Sequence, residues 1–177
     1  MKAFKGVLLA ALLLPAFIAI LSLFLPSKYR VESSIETHAT AEVIFAQVNV
    51  LAQWTNWTAW PAGNFPPSRL SFSGPESGPG ATYAWDSEHT GRGVLKLTRA
   101  EPDKGIGYQL EFDHGKNVSK GAIEYVAAGD GMKVTWSNEG DLGWNPISRI
   151  FGLLMDTMIR PHFEQGLRNL KQKAEAN

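Results

Sequence analysis

"WNPISRIFGLLMDTMIRPHFEQGLRNLKQKAEAN", residues 144–177, is a long stretch of helical periodicity at the end of a chain whose middle reads as strands. Asn145 stands where a helix takes its cap, and Pro146 occupies the first helical position, both favoured there. Ile147, Ile150, Phe151, Leu154 and Met158 form one apolar stripe. Beyond Pro161, residues Phe163, Leu167, Leu170 and Ala174 recur at the same spacing, and Glu164 is set to pair with Arg168 on the outer face. Pro161 lacks a backbone donor, so the helix is expected to kink or divide there.

Working back from this helix, "YRVESSIETH" (29–38) alternates Val31, Ser33 and Ile35 with Arg30, Glu32 and Ser34, the pattern of a strand with one buried face. Thr40 then caps a short helix with Val43, Ile44, Phe45 and Val48 on its apolar side. A second short helix covers Trp54 and Trp57 and must end near Trp60, because a residue before proline is pushed out of helical geometry. Clusters rich in Gly, Pro, Asp and Asn separate six further strands near 69–74, 81–87, 92–101, 105–113, 118–127 and 132–139. In "GIGYQLEFDH" (105–114), Ile106, Tyr108, Leu110 and Phe112 share one face, matched by Leu95, Leu97, Ile123, Tyr125, Val134 and Trp136 on the neighbours. Short turns make this an antiparallel meander, and a long amphipathic helix following it must lay its apolar stripe against the sheet. The class is α+β.

The N-terminus is of another kind. Val7–Leu25 is an uncharged run between Lys2 and Lys5 on one side and Lys28 and Arg30 on the other. At ~1.5 Å per residue its ~19 residues span the roughly 30 Å of a bilayer's hydrocarbon core. No pair of small residues suits a cleavage site near its end, so it reads as a retained single-pass anchor rather than a signal peptide. Residues 1–29 are therefore the anchor and its link, and 30–177 the globular domain. The N-terminal amine tilts a near-equal flank balance towards an inside N-terminus, with the domain extracytoplasmic. The chain has 17 basic and 17 acidic residues, with no basic stripe, which argues against nucleic acid as a partner. There is no cysteine, and no two histidines lie at helical ligand spacing, so neither a metal nor another cofactor is expected.

The order strand, two short helices, six strands, long helix resembles the START-like (helix-grip) superfamily, the SRPBCC or polyketide cyclase/dehydrase and lipid-transport group. The local echoes are "IETHATAEVIFAQV", "LAQWTNWTAW", "ATYAWDSEHTGRGVLKL", "MKVTWSNEGDL" and "FEQGLRNLK". The resemblance implies a curved, seven-stranded antiparallel sheet wrapped around the C-terminal helix, enclosing an elongated cavity for apolar ligands. On that reading the cavity is lined by Trp85, Leu97, Tyr108, Phe112, Tyr125 and Trp136 from the sheet, and by Phe151, Leu154, Met155 and Met158 from the helix. Gly152 and Gly166 would leave space beneath it. The superfamily hosts carriers, cyclases, hydrolases and cochaperones, so fold alone does not decide activity.

For acid–base work the weak candidates are His114 and Tyr125. Asp113 and His114, adjacent on a strand, point to opposite faces and form no dyad. The tryptophans at 54, 57 and 60 either rim a pocket or lock the short helices to the sheet. Trp57 is assigned to the core and the other two stay open. Pro26–Arg30 reach roughly 17 Å at most, which holds the domain at the bilayer surface. The expected function is a membrane-anchored binding module for a lipid or other apolar small molecule. The alternatives are a cyclase, dehydratase or hydrolase using the same cavity, or a cochaperone-like interaction domain.

Overall fold

The computed structural model describes residues 13, 17, 21–59, 69–87, 91–112 and 115–176. The elements in order are β1 (Lys28–Thr37), α1 (Ala41–Val48), α2 (Leu51–Trp54), β2 (Arg69–Ser73), β3 (Thr82–Ser87), β4 (Gly91–Glu101), β5 (Gly105–Phe112), β6 (Asn117–Ala128), β7 (Gly131–Asp141) and α3 (Pro146–Glu175). The strands form a seven-stranded antiparallel sheet in the order β1-β7-β6-β5-β4-β3-β2. Consecutive strands pair, except that β1 closes onto β7. The strands, the first short helix and the long helix stand where periodicity and turn chemistry place them, within about two residues at each end, whereas α2 stops at Trp54 and leaves Trp57 in the turn that follows rather than in the helix.

Register explains the core. Trp136 opposes Ser33 and Ile123, Ile106 opposes Ile123, Tyr108 opposes Gly121 and Leu97, and Leu95 opposes Leu110 and Tyr83. Period-two alternation therefore puts the expected apolar set on one face. Val31, Leu97, Ile106, Tyr108, Ile123, Tyr125, Val134 and Trp136 are all buried there. The neighbouring outward residues Arg30, Glu32, Lys96 and Glu124 are exposed.

Helix α3 begins as its sequence dictates: the Asn145 side chain accepts from Ile147 N at 2.9 Å and Ser148 N at 3.4 Å, with Pro146 next. Contrary to a division at Pro161, the helix is continuous from Pro146 to Glu175. At ~1.5 Å per residue it is about 45 Å long. It runs beside edge strand β1, where Arg160 Nη1 donates to Glu32 O at 2.7 Å and Lys171 Nζ to Glu36 O at 2.9 Å. At its far end, Glu175 Oε1 accepts from Thr37 Oγ1 at 2.9 Å and His38 N at 3.0 Å. A bare β1 edge would present unpaired carbonyls to other chains; α3 covers it with cations.

The expected transmembrane helix falls on residues 7–25, most of which lie outside the described residues. Among the described residues, no helix is long and apolar enough to cross a membrane. Strand β1 begins at Lys28, with Lys28 and Tyr29 paired to Asp141 and Gly140.

Candidate functional site

The concave face of the sheet has a filled end and an open end. At the filled end, Trp54 and Trp57 are buried with their rings 5.1 Å apart. Both indoles meet Trp136, at 5.8 and 5.5 Å, and Trp136 stacks on Phe163 of α3 at 4.3 Å with an interplanar angle of 7°. Their polar handles have a local purpose. Trp54 Nε1 donates to Val48 O at 2.8 Å and Trp57 Nε1 to Gln47 O at 3.3 Å, so two indoles satisfy carbonyls at the C-terminus of α1 that the helix itself leaves unpaired. The even spacing of the tryptophans is thus a device of packing and capping at 54 and 57; Trp60 lies outside the described residues.

Several residues expected to line a cavity belong to this packed core. Leu97 is fully buried. Tyr108 Oη accepts from Trp136 Nε1 at 2.9 Å and donates to Ser137 O at 3.4 Å, and burial drives its pKa far up. Tyr125 Oη donates to Pro102 O at 2.6 Å, and its pKa is pushed up to about 12, by burial first and then by the charge of Asp103. A phenol so engaged is a poor proton acceptor at neutral pH. His114 lies outside the described residues. Gly166 does not leave free space, and Gly152 borders only a small cavity beside Tyr29. A Cβ on Gly166 would stand 2.7 Å from Trp136 Cζ3, and one on Gly152 would stand 2.3 Å from Leu142 Cδ1, so both glycines permit close approach of the helix.

The open end lies beside the first half of α3. Every buried apolar residue of α3 follows Pro161, whereas Phe151, Leu154 and Met158 are 53%, 49% and 58% exposed. Helical geometry gives the reason. Leu154 lies about two and a half turns before Phe163, on the opposite side of the helix, and cannot line a cavity beneath it. The two apolar stripes on either side of Pro161 occupy different faces. Phe151 is about five turns before Asn169, whose Nδ2 donates to Trp57 O at 3.0 Å; both therefore share the flank of the helix that turns towards the segment after α2. Met158 sits close to that face. Met155 and Ile159, half-buried, continue it down to the core.

On the sheet, the inner wall carries Leu110 and Phe112, half-buried, and Trp85, whose ring meets Phe112 edge-on at 5.6 Å. Trp85 Nε1 is buried and has no hydrogen-bond partner among the described residues. Its ring lies over Gly93, where a Cβ would stand 2.1 Å from Cζ2. The wall also contains a polar cluster that apolar periodicity passes over. Tyr29 Oη donates to Asn138 Oδ1 at 3.1 Å, and Asn138 Nδ2 donates to Ser119 Oγ at 3.2 Å. Burial raises the Tyr29 pKa, with Ser119 partly offsetting it. The signal was present as polar residues at inward parity: 29 in β1, 119 in β6 and 138 in β7.

Two cavities border the wall and the helix, the first touching Trp85 and Gly93 and the second lying between β1 and the first half of α3. One, of about 340 Å³, is lined mainly by outward residues, including Ser71, Ala84, Asp86, Arg92 and Glu111, with Arg92 Nε 2.7 Å from Asp86 Oδ2. The other, of about 150 Å³, lies between Tyr29, Val31, Arg149 and Gly152. Among the described residues there is no group of His, Cys, Asp and Glu that could hold a metal ion.

The family described as polyketide cyclase / dehydrase and lipid transport matches residues 28–175. The chain belongs to that family. No curated protein matches it. Three solved structures show how this polyketide cyclase / dehydrase and lipid transport member shares its fold. A solution structure from Thermobifida fusca has TM-score 0.62 and 17% identity, over 83% of this chain and 93% of that one. Ara h 8.0201 has TM-score 0.59 and 11% identity, over 85% and 99%. The di-domain ARO/CYC StfQ from the steffimycin biosynthetic pathway has TM-score 0.60 and 14% identity, over 84% of this chain and 51% of that one. At these identities the likeness is one of fold.

Proposed function

We propose that the protein is a membrane-anchored binding module that holds a lipid or other apolar small molecule in the groove between the concave sheet and the first half of α3. One observation carries this reading: Phe151 and Met158, on the first half of α3, are large apolar side chains left exposed in a fold whose inner sheet face is aromatic. Uncovered apolar side chains of this size, on a helix that packs on the same sheet as Phe112 and Trp85, favour an apolar occupant. The unpartnered Trp85 Nε1 supplies one directional donor for a carbonyl, carboxylate or hydroxyl on an otherwise apolar molecule. The anchor is the Val7–Leu25 run, and the short link to β1 keeps the groove beside the bilayer, on the extracytoplasmic side by the charge balance of its flanks.

The test is native mass spectrometry of the full chain released from mild detergent, with solvent extraction and titration by cis-parinaric acid. A co-purifying amphiphile, or saturable binding that Phe151→Asp weakens without loss of thermal stability, is the expected result. No co-purified amphiphile and no saturable binding would sink the reading.

A further inference from the structure

The start of α3 carries an apolar surface on the side turned away from the groove's floor. Trp144 is 80% exposed and Ile147 65%, and Ile150, Leu153 and Leu154 are exposed as well. Between Asp141 and Asp156 the chain has one charged residue, Arg149, and this one is buried. A surface helix that turns its lone cation inward and its isoleucines outward is built for a medium other than water.

Where Arg149 goes indicates that medium. Its Nη1 donates to Leu23 O at 2.7 Å and Leu25 O at 3.3 Å, and its Nε donates to Gly143 O at 2.8 Å. Phe24 and Leu25 close the helical turn at Leu21–Ser22, Phe24 N donating to Leu21 O and Leu25 N to Ser22 O, both at 3.1 Å. The Leu23 and Leu25 carbonyls follow this turn, and the guanidinium supplies the donor that such chain-end carbonyls need. Leu142 N donates to Ser27 O at 2.6 Å, fixing the link from the other side. The end of the apolar N-terminal run is thus held to the start of α3, and Leu21, Leu23 and Phe24 are themselves exposed beside it.

We infer that Trp144 and the Ile147–Leu154 face of α3 lie in the headgroup and upper acyl layer of the phospholipid bilayer that holds the anchor, with Arg149 as the clamp fixing this orientation. The inference rests on the anchor reading above. A helix whose exposed side is uncharged and led by tryptophan suits that layer, and the anchor's last carbonyls place it there. Phe151 and Met158 then stand at the membrane surface, so the groove opens where an amphiphile can enter without crossing water.

The chain has no cysteine, so single labels report cleanly. Ile147→Cys and Leu154→Cys are labelled with the fluorophore NBD in the full chain, with Val126→Cys as control, since Val126 is 63% exposed on the outer face of β6. Each is reconstituted in phosphatidylcholine/phosphatidylglycerol vesicles with and without a shallow doxyl-phosphatidylcholine quencher. Blue-shifted emission at 147 and 154, quenched severalfold more than at 126, is expected. Water-like emission at 147 and 154 in chains that float with the vesicles overturns the inference and leaves the anchor standing; failure to float overturns both. Blue-shifted emission without lipid quenching, whether or not it vanishes on dilution, means that protein covers the face and also overturns it. Arg149→Met, checked for folding by its melting curve, is expected to keep flotation but lose quenching at 147. Should that variant not fold, the labels in the otherwise native chain decide.

Discussion

Tyr108 shows how one side chain ties the wall to the core. Its hydroxyl accepts from Trp136 Nε1, and its ring lies over Gly121, where a Cβ would stand 2.1 Å from Cζ. Tyr108→Phe leaves the Trp136 donor buried without a partner, and is expected to cost about 1–3 kcal/mol in denaturant unfolding. Gly121→Ala should cost a similar ~1–3 kcal/mol, because backbone and ring cannot both stay in place. Outside these contacts the buried phenols act only at high pH. Tyr83 and Tyr125 are each raised to about 12, chiefly by burial. Between the ordinary tyrosine value near pH 10 and that raised value, the unfolded chain ionises first, so stability should fall as pH rises through this window. A melting series from pH 8 upward checks the sign.

At the scale of elements, α3 is two helices in function though one in geometry. Its second half supplies packing, through Phe163, Leu167, Leu170 and Ala174. Phe163→Ala removes the stack on Trp136 and should cost about 3–5 kcal/mol. Substitutions at Phe151 or Met158 should leave the melting temperature nearly unchanged, since exposed side chains contribute within about 0.5 kcal/mol. The contrast separates packing half from groove half in a single set of melting curves. The same helix guards β1. Arg160→Ala with Lys171→Ala frees the Glu32 and Glu36 carbonyls and should raise the oligomer fraction in size-exclusion chromatography.

For the whole molecule, the decisive closure is Glu175, which ties the end of the chain to the junction of β1 and α1. Its pKa is lowered, first by the His38 backbone N–H, then by Thr37 Oγ1 and the charges of Lys171 and His38. A lowered carboxylate pKa stabilises the fold above the ordinary value and ceases to do so as pH falls through the lowered one. Glu175→Gln should therefore melt below the native chain at neutral pH, and the gap should close in acid below that lowered value. Thermal melts at the two pH values measure it.

Alternation in 105–112, the Asn145–Pro146 start and the glycine-rich turns sufficed, from sequence alone, to place seven strands and three helices, because these signals are local: period two, period 3.6 and backbone angles. Chain order then led to the layering, with α3 against the sheet. What sequence could not decide was direction. Leu154 and Phe163 belong to stripes of equal apolarity, and only the docking of Phe163 on Trp136 determines which one faces inward. Likewise Arg149 reads as an ordinary surface cation until Leu23 and Leu25 are brought to it across more than a hundred residues. Tyr29, Ser119 and Asn138 lie on three strands and become a cluster only through register. Periodicity fixes which residues of an element share a face; what that face meets depends on contacts between parts of the chain that carry no local mark.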